Sequence, residues 1–283
     1  MKKFGSITMT AILVVVLMTA AQAGSDRTTN WTFEKKERIK ISTVSGDCVV
    51  MKGKTDQIEV EVINSYSPRD SFKPKVRERK NTLRLSENIL GSNNGSATWT
   101  LTVPDGTEIE FSSASGDLII ENLSGDFSSE TASGDVEVLG CTGGFYFNTA
   151  SGTIEIEDCS GEFVIATASG DVDAVNVVLR EAGSFATASG KVEVALAETA
   201  DHDLTLSSAS GRVLLDYNGN PIKGFFEFTA RDRKGRIDSP FDFDNEETFR
   251  KWGEKYVAKT FTKDGDSPQI ALETASGRAS LRQ

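Results

Sequence analysis

The sequence predicts an all-β protein: a parallel β-solenoid of two-strand coils, roughly 18–21 residues each, with a β-rich N-terminal cap and a short helical insertion near the C-terminus. Three observations carry this. A nine-residue unit repeats seven times without a gap from Ser115 to Val177: SGDLIIENL, SGDFSSETA, SGDVEVLGC, TGGFYFNTA, SGTIEIEDC, SGEFVIATA, SGDVDAVNV. Within each unit the apolar residues fall at positions 4 and 6, a spacing of two that puts both on one face of a strand. Neighbouring units also differ in kind. Position 4 is aliphatic in Leu118, Val136, Ile154 and Val172 but aromatic in Phe127, Phe145 and Phe163. The true coil is therefore two units long, with phenylalanines of one sheet facing aliphatics of the other. One such coil cannot bury its apolar face alone, whereas a stack of coils about 4.8 Å apart can.

Residues 1–23 read as a secretory signal. Lys2 and Lys3 precede the apolar run from Ile12 to Met18, and Ala21-Gln22-Ala23 offers small residues for cleavage before Gly24. The run is short for a membrane anchor, and no later segment is apolar enough to span a bilayer. Residues 24–112 read as the cap with early, irregular coils. Strand alternation is clear in Gln57-Ile58-Glu59-Val60-Glu61-Val62 and Thr98-Trp99-Thr100-Leu101-Thr102-Val103, and Val44-Ser45-Gly46-Asp47 resembles a corner. Residues 113–283 form the repeat solenoid.

Glycine at position 2 of each unit marks the corner, where it tolerates φ > 0 and lets a neighbouring backbone approach. Position 9 (Leu123, Ala132, Cys141, Ala150, Cys159, Ala168, Val177) is small and apolar, and is assigned to the core. Beyond Gly170 the coils lengthen, with corners at Ser189-Gly190 and Ser210-Gly211, a weak one at Lys234-Gly235 and a last one at Ser276-Gly277. Residues 240–265 break the rhythm. Asp244 followed by Glu247 resembles a helix start. Phe249, Trp252 and Tyr256 then fall on one helical face, which is either buried against the solenoid or offered to a partner protein.

Composition narrows the function. The net charge is −11, and removing Lys2 and Lys3 with the signal takes it to −13. That sum argues against nucleic acid or an anionic lipid surface as partner. Three cysteines do not make a disulfide framework. A single histidine, His202, in a polar turn, rules out multi-histidine metal sites and gives a Ser-His-Asp triad little support.

Two side-chain columns stand out. Glu137, Glu155 and Asp173 recur once per coil at outward position 5, and Glu193 continues them; Asp117, Asp135 and Asp171 stand beside them at position 3. Such a stripe either binds Ca²⁺ or a basic partner, or is a solvated face that resists lateral sheet association. The Gly-Gly-x-Gly-x-Asp order of calcium-loaded β-rolls is missing. Cys141 and Cys159 are equivalents in successive coils, within reach of a disulfide or simply two core residues. The carboxylates are regular and outward, with no singular cluster for acid–base catalysis, so an enzyme is not expected and no cofactor is implied.

Leu101-Thr102-Val103-Pro104 leading into Ser113-Ala114-Ser115-Gly116-Asp117-Leu118, the Thr-Ala-Ser-Gly-Asp units at 131–135 and 167–171, and the closing Ile270-Ala271-Leu272-Glu273-Thr274-Ala275-Ser276-Gly277 resemble a bacterial family called putative adhesins. The likeness covers nearly the whole chain beyond the signal. It implies an exported protein, periplasmic or at the cell surface, made of β-strand repeats, and brings no catalytic residues. The expected function is a non-catalytic binding or structural module with an unidentified protein or envelope component as partner. A weak cation scaffold and, behind it, a carbohydrate-active enzyme are the alternatives.

Overall fold

The computed structural model describes residues 26–91 and 94–283; the segment read as a signal lies outside them. Leu118–Glu121, Val136–Leu139 and Ile154–Glu157 lie side by side in parallel in one sheet. Ser124–Thr131, Thr142–Thr149 and Ser160–Thr167 do the same in a second sheet. Each residue pairs with its equivalent in the next coil, as Phe127 with Phe145 and Glu137 with Glu155. The long strand Val172–Thr187 crosses from the first sheet into the second between Val177 and Val178.

The core between the sheets is the one the alternation predicts. Leu118, Val136, Ile154 and Val172 on one side and Phe127, Phe145 and Phe163 on the other are at most 1% exposed. The phenylalanines stack along the solenoid axis, with ring centroids 5.6 Å apart for Phe127–Phe145, 4.9 Å for Phe145–Phe163 and 5.6 Å for Phe163–Phe185. Each buried ring contributes roughly 1.5–3 kcal/mol by burial and about 1 kcal/mol more from the aromatic contact.

The two corners of a coil are built differently. At the corner entering the first sheet, eight glycines from Gly46 to Gly277 stack. A Cβ on Gly134 would lie 2.0 Å from the Gly116 carbonyl oxygen, and one on Gly152 would lie 1.9 Å from that of Gly134. None of these glycines has a left-handed φ, so close backbone approach alone requires them. Threonines line the inside of this corner. The Thr149 and Thr167 hydroxyls each accept the N–H of the glycine three residues on, both at 3.0 Å. They donate to the glycine carbonyl of the preceding coil, at 3.3 and 3.1 Å.

This ladder corrects the assignment of position 9. Leu123, Cys141, Cys159 and Val177 are buried as expected, but Ala132, Ala150 and Ala168 face solvent. The corner's buried backbone groups need a hydrogen-bonding side chain inside. The neighbouring threonine takes that place and the alanine methyl is turned out.

At both ends the coils are not stacked in chain order. Arg38–Ser42 and Asp47–Lys52 lie directly on Glu108–Ser113 and Leu118–Glu121. Thr82–Ile89 and Ala97–Val103 pack outside them. At the other end Gln269–Thr274 and Arg278–Arg282 slot against Leu204–Ser208 and Arg212–Asp216. Gly224–Arg231 and Arg236–Asp238, the weak corner of the sequence, are displaced outward. Antiparallel strands finish three of the four sheet edges: Gln57–Asn64 with Arg27–Glu34, Phe72–Glu78, and Glu254–Lys263 with Asn245–Lys251.

The last pair overturns the predicted helix at 244–257. Asn245–Lys251 and Glu254–Lys263 form a hairpin, with Trp252 and Gly253 at φ 52° and 80° in the two-residue turn that twisted strands favour. Thr248, Phe249, Tyr256, Val257, Thr260 and Thr262 are strand formers, and their pairing wins over the helical spacing. Asp244 caps no helix; its carboxylate accepts the Thr262 N–H at 2.9 Å.

Candidate binding surface

The acidic stripe exists in space. Glu137 pairs with Glu155, Glu155 with Asp173 and Asp173 with Glu193, all on the outer face of the first sheet. Burial, and then the charge of Glu155 with Glu121 and Glu157 nearby, push the Glu137 carboxyl above its ordinary value. The stripe is also partly spent on structure. Asp117 accepts the Asp135 N–H at 2.8 Å, Asp135 accepts the Thr153 N–H at 2.6 Å, and Asp171 accepts the Lys191 N–H at 2.9 Å. Each position-3 aspartate thus satisfies an outward amide of the next coil. Lys191 lies 2.9 Å from Asp173 and 3.8 Å from Glu193, and Arg212 also pairs with Glu193. Among the described residues no three Asp, Glu, His or Cys side chains converge as metal ligands.

The second sheet presents a different face. Two outward rows run across its coils, Ser128–Tyr146–Val164–Ser184–Thr205 and Glu130–Asn148–Ala166–Ala186–Ser207. Small and uncharged residues predominate, and a groove of about 560 Å³ lies along the rows from Lys40 and Ser42 to Val164 and Ala166. Tyr146 is 39% exposed and Val164 45%.

The tyrosine is held, not loose. Its hydroxyl donates to Glu162, and this bond, with burial second, raises the phenol to about 12, so it stays protonated. Its ring passes over Gly144, where a Cβ would lie 2.6 Å from the ring. That explains why position 3 is glycine in this unit alone. At the N-terminal end of the groove Glu110 is engaged by Arg38 at 3.1 Å and by Lys40.

The remaining candidates are dispersed. Cys141 and Cys159 stack as expected, the Cys141 N–H lying 3.4 Å from the Cys159 sulfur, and both are buried free thiols in the structure. Their hydrogen bond and burial push the Cys159 thiol up. Phe249 and Tyr256 face each other across the hairpin, with rings 5.9 Å apart, while Trp252 at its tip is 85% exposed. The three aromatics therefore share no helical face, although Trp252 and Tyr256 line one groove with Lys251. The hairpin extends the second sheet. The signals for the threonine ladder and for Tyr146 were present in the sequence, as Thr131, Thr149 and Thr167 at one repeat position and as the lone Gly-Gly unit. Among the described residues no helix is long and apolar enough to cross a membrane.

Comparison with known proteins places this architecture. A putative adhesin from Bacteroides fragilis is similar over 91% of this chain and 96% of its own, with 16% identity and a TM-score of 0.51. A putative lipid binding protein from Parabacteroides distasonis aligns over 92% of this chain and 98% of its own at 11% identity and a TM-score of 0.38. A putative adhesin from Parabacteroides merdae aligns over 92% and 97% at 10% identity and a TM-score of 0.30. The first of these shares the fold. No curated protein sequence matches. The profile of the Toastrack family, DUF4097, matches residues 36–281. With its parallel two-sheet stack and Ser-Gly corners, the chain belongs to the Toastrack DUF4097 family.

Proposed function

We propose that the protein is a non-catalytic, exported binding module, and that the outer face of its second sheet takes an extended, neutral glycan strand. The observation that carries this is the groove over that face, with the Tyr146 ring fixed by Glu162 beside rows of serine, asparagine and alanine. An aromatic platform beside hydroxyl, amide and carboxylate groups suits a sugar, which offers both an apolar ring face and hydroxyls. The signal-like segment at the start of the chain supports export. Of the two carboxyls lining the groove, Glu110 is committed to Arg38 and Lys40, which leaves Glu130 alone where glycoside hydrolysis uses a pair. The cation-scaffold reading has less support, because the position-3 aspartates already bind backbone amides.

Affinity electrophoresis through gels containing neutral bacterial polysaccharides tests the proposal. The wild-type chain is expected to be retarded by at least one of them. Tyr146→Ala and Val164→Arg are expected to remove most of the retardation, and Glu155→Gln on the opposite sheet to leave it unchanged. Unretarded wild type, or variants that behave like it, would sink the reading.

A further inference from the structure

The N-terminal edge of the second sheet carries a charge opposite to that of the molecule. Residues 69–84 hold seven cations, Arg69, Lys73, Lys75, Arg77, Arg79, Lys80 and Arg84, against Asp70 and Glu78, in a chain of net charge −11. They belong to the antiparallel hairpin of Phe72–Glu78 and Thr82–Ile89 and its approach. All seven cations are exposed. The fold sorts them further. Lys73 pairs across the hairpin with Asn88, Lys75 with Ser86 and Arg77 with Arg84, so Lys73, Lys75, Arg77 and Arg84 share the outward face. Leu90, 47% exposed, directly follows the strand Thr82–Ile89.

Three of the nearby acids are already engaged. Glu78 is bound by Lys36 at 2.7 Å, and Glu108 and Glu110, two strands inward, are bound by Arg38 at 2.7 and 3.1 Å. Among the described residues Lys73, Lys75, Arg77 and Arg84 have no carboxylate within ion-pair distance. The stripe of Glu137 and Glu155 lies in the other sheet, several strand spacings further along. At about 4.8 Å per strand that exceeds the Debye length of about 8 Å at physiological salt. The net negative charge therefore does not cancel this patch.

We infer that the hairpin at 72–89 docks on an anionic bilayer surface, with Lys73, Lys75, Arg77 and Arg84 against lipid phosphates and Leu90 at the headgroup boundary. Two features favour a bilayer over a soluble polyanion: the cations lie on one open sheet face at an extreme end of the solenoid, not in a cleft, and an exposed leucine directly follows the hairpin. Clustered lysine and arginine near an anionic surface each strengthen binding about five-fold, and the effect fades with salt.

Vesicle co-sedimentation at low salt tests this, with vesicles of phosphatidylcholine alone or of phosphatidylcholine mixed with phosphatidylglycerol. The wild-type protein is expected to pellet only with the anionic vesicles and to be released by high salt. Triple reversal, Lys75→Glu with Arg77→Glu and Arg84→Glu, is expected to weaken binding by about a hundred-fold, while Leu90→Ser weakens it a few-fold. Lys223→Glu with Lys234→Glu and Lys263→Glu, at the far end, makes the same change of net charge and is expected to bind like wild type. Circular dichroism melts establish that each variant is folded. Should the triple variant fail to fold, the single reversals Lys73→Glu and Lys75→Glu are each expected to show about a five-fold loss. Wild type that stays in the supernatant, folded reversals that bind undiminished, or wild type that binds soluble polyphosphate but not the vesicles would overturn the inference.

Discussion

Replacing Gly152 by alanine puts a methyl group where another backbone already lies. The new Cβ would be 1.9 Å from the Gly134 oxygen, 2.7 Å from the Gly134 carbonyl carbon and 2.9 Å from the Thr149 hydroxyl. Ordinary contact begins near 3.4 Å, so the two coils must part locally by about 1.5 Å, a third of the strand spacing. That movement displaces the Thr149 hydroxyl, which loses the Gly152 N–H, 3.0 Å, and its own bond across to the Gly134 carbonyl, 3.3 Å. Two lost hydrogen bonds at about 1 kcal/mol each, with overpacking of about 1–3 kcal/mol, give about 3–5 kcal/mol. For a chain of this size the melting temperature should fall by about 10 °C. Gly106→Ala is the control: φ there is +78° and nothing lies within 4 Å of the added Cβ. It carries only the left-handed penalty of about 1–2 kcal/mol. Thermal unfolding followed by circular dichroism compares the two. If Gly152→Ala melts within about 2 °C of wild type, or no lower than Gly106→Ala, the close-packed glycine ladder is not what holds the coils together.

Thr167→Val keeps the shape but removes a hydroxyl that serves Gly170 and Gly152. It should cost about 2–3 kcal/mol, because a buried N–H loses its acceptor, and denaturant titration reads this as a lower midpoint. Glu137→Gln should stabilise by about 0.5 kcal/mol at pH 7, the scale of a like-charge cross-strand pair. The native carboxyl is raised, so the ionised form destabilises the fold, and that cost sets in as pH rises from the unfolded pKa through the folded one. Below pH 4 the variant and wild type should melt together; a gain that persists there refutes the charge explanation. Trp252→Ser, at an exposed turn, should change stability by less than about 0.5 kcal/mol, and a larger loss would mean that the hairpin tip packs. Cys48, Cys141 and Cys159 are buried free thiols, so all three should resist alkylation when native and label on unfolding, read by intact mass. Labelling of Cys48 alone would instead reveal a Cys141–Cys159 bridge.

The solenoid, its two-unit coil and the Phe-against-aliphatic core were legible because they rest on local periodicity. A two-residue alternation selects the inward face, and a glycine in every unit marks where the chain turns. The acidic column was legible for the same reason: equivalent residues of a repeat must stack. Its use was not. Whether Asp135 is free or binds the Thr153 amide depends on a contact between coils. Ala150 and Thr149 show the same division, since only the packed corner decides that the hydroxyl goes in and the methyl out.

By itself the sequence determined the repeat length, the composition of the two sheets and the burial of every position-4 side chain, all consequences of spacing along the chain. The tertiary structure alone decided which coil lies beside which at the two ends, and that residues 245–263 form a hairpin. A repeat defines an interval but not a neighbour, because every coil offers the same ladder of amides and carbonyls. A short segment with aromatics at both helical and strand spacing takes whichever form an open sheet edge can pair with. The same end-to-end ordering gathers Lys73, Lys75, Arg77 and Arg84 on one face, a concentration of charge that the net value of the chain conceals.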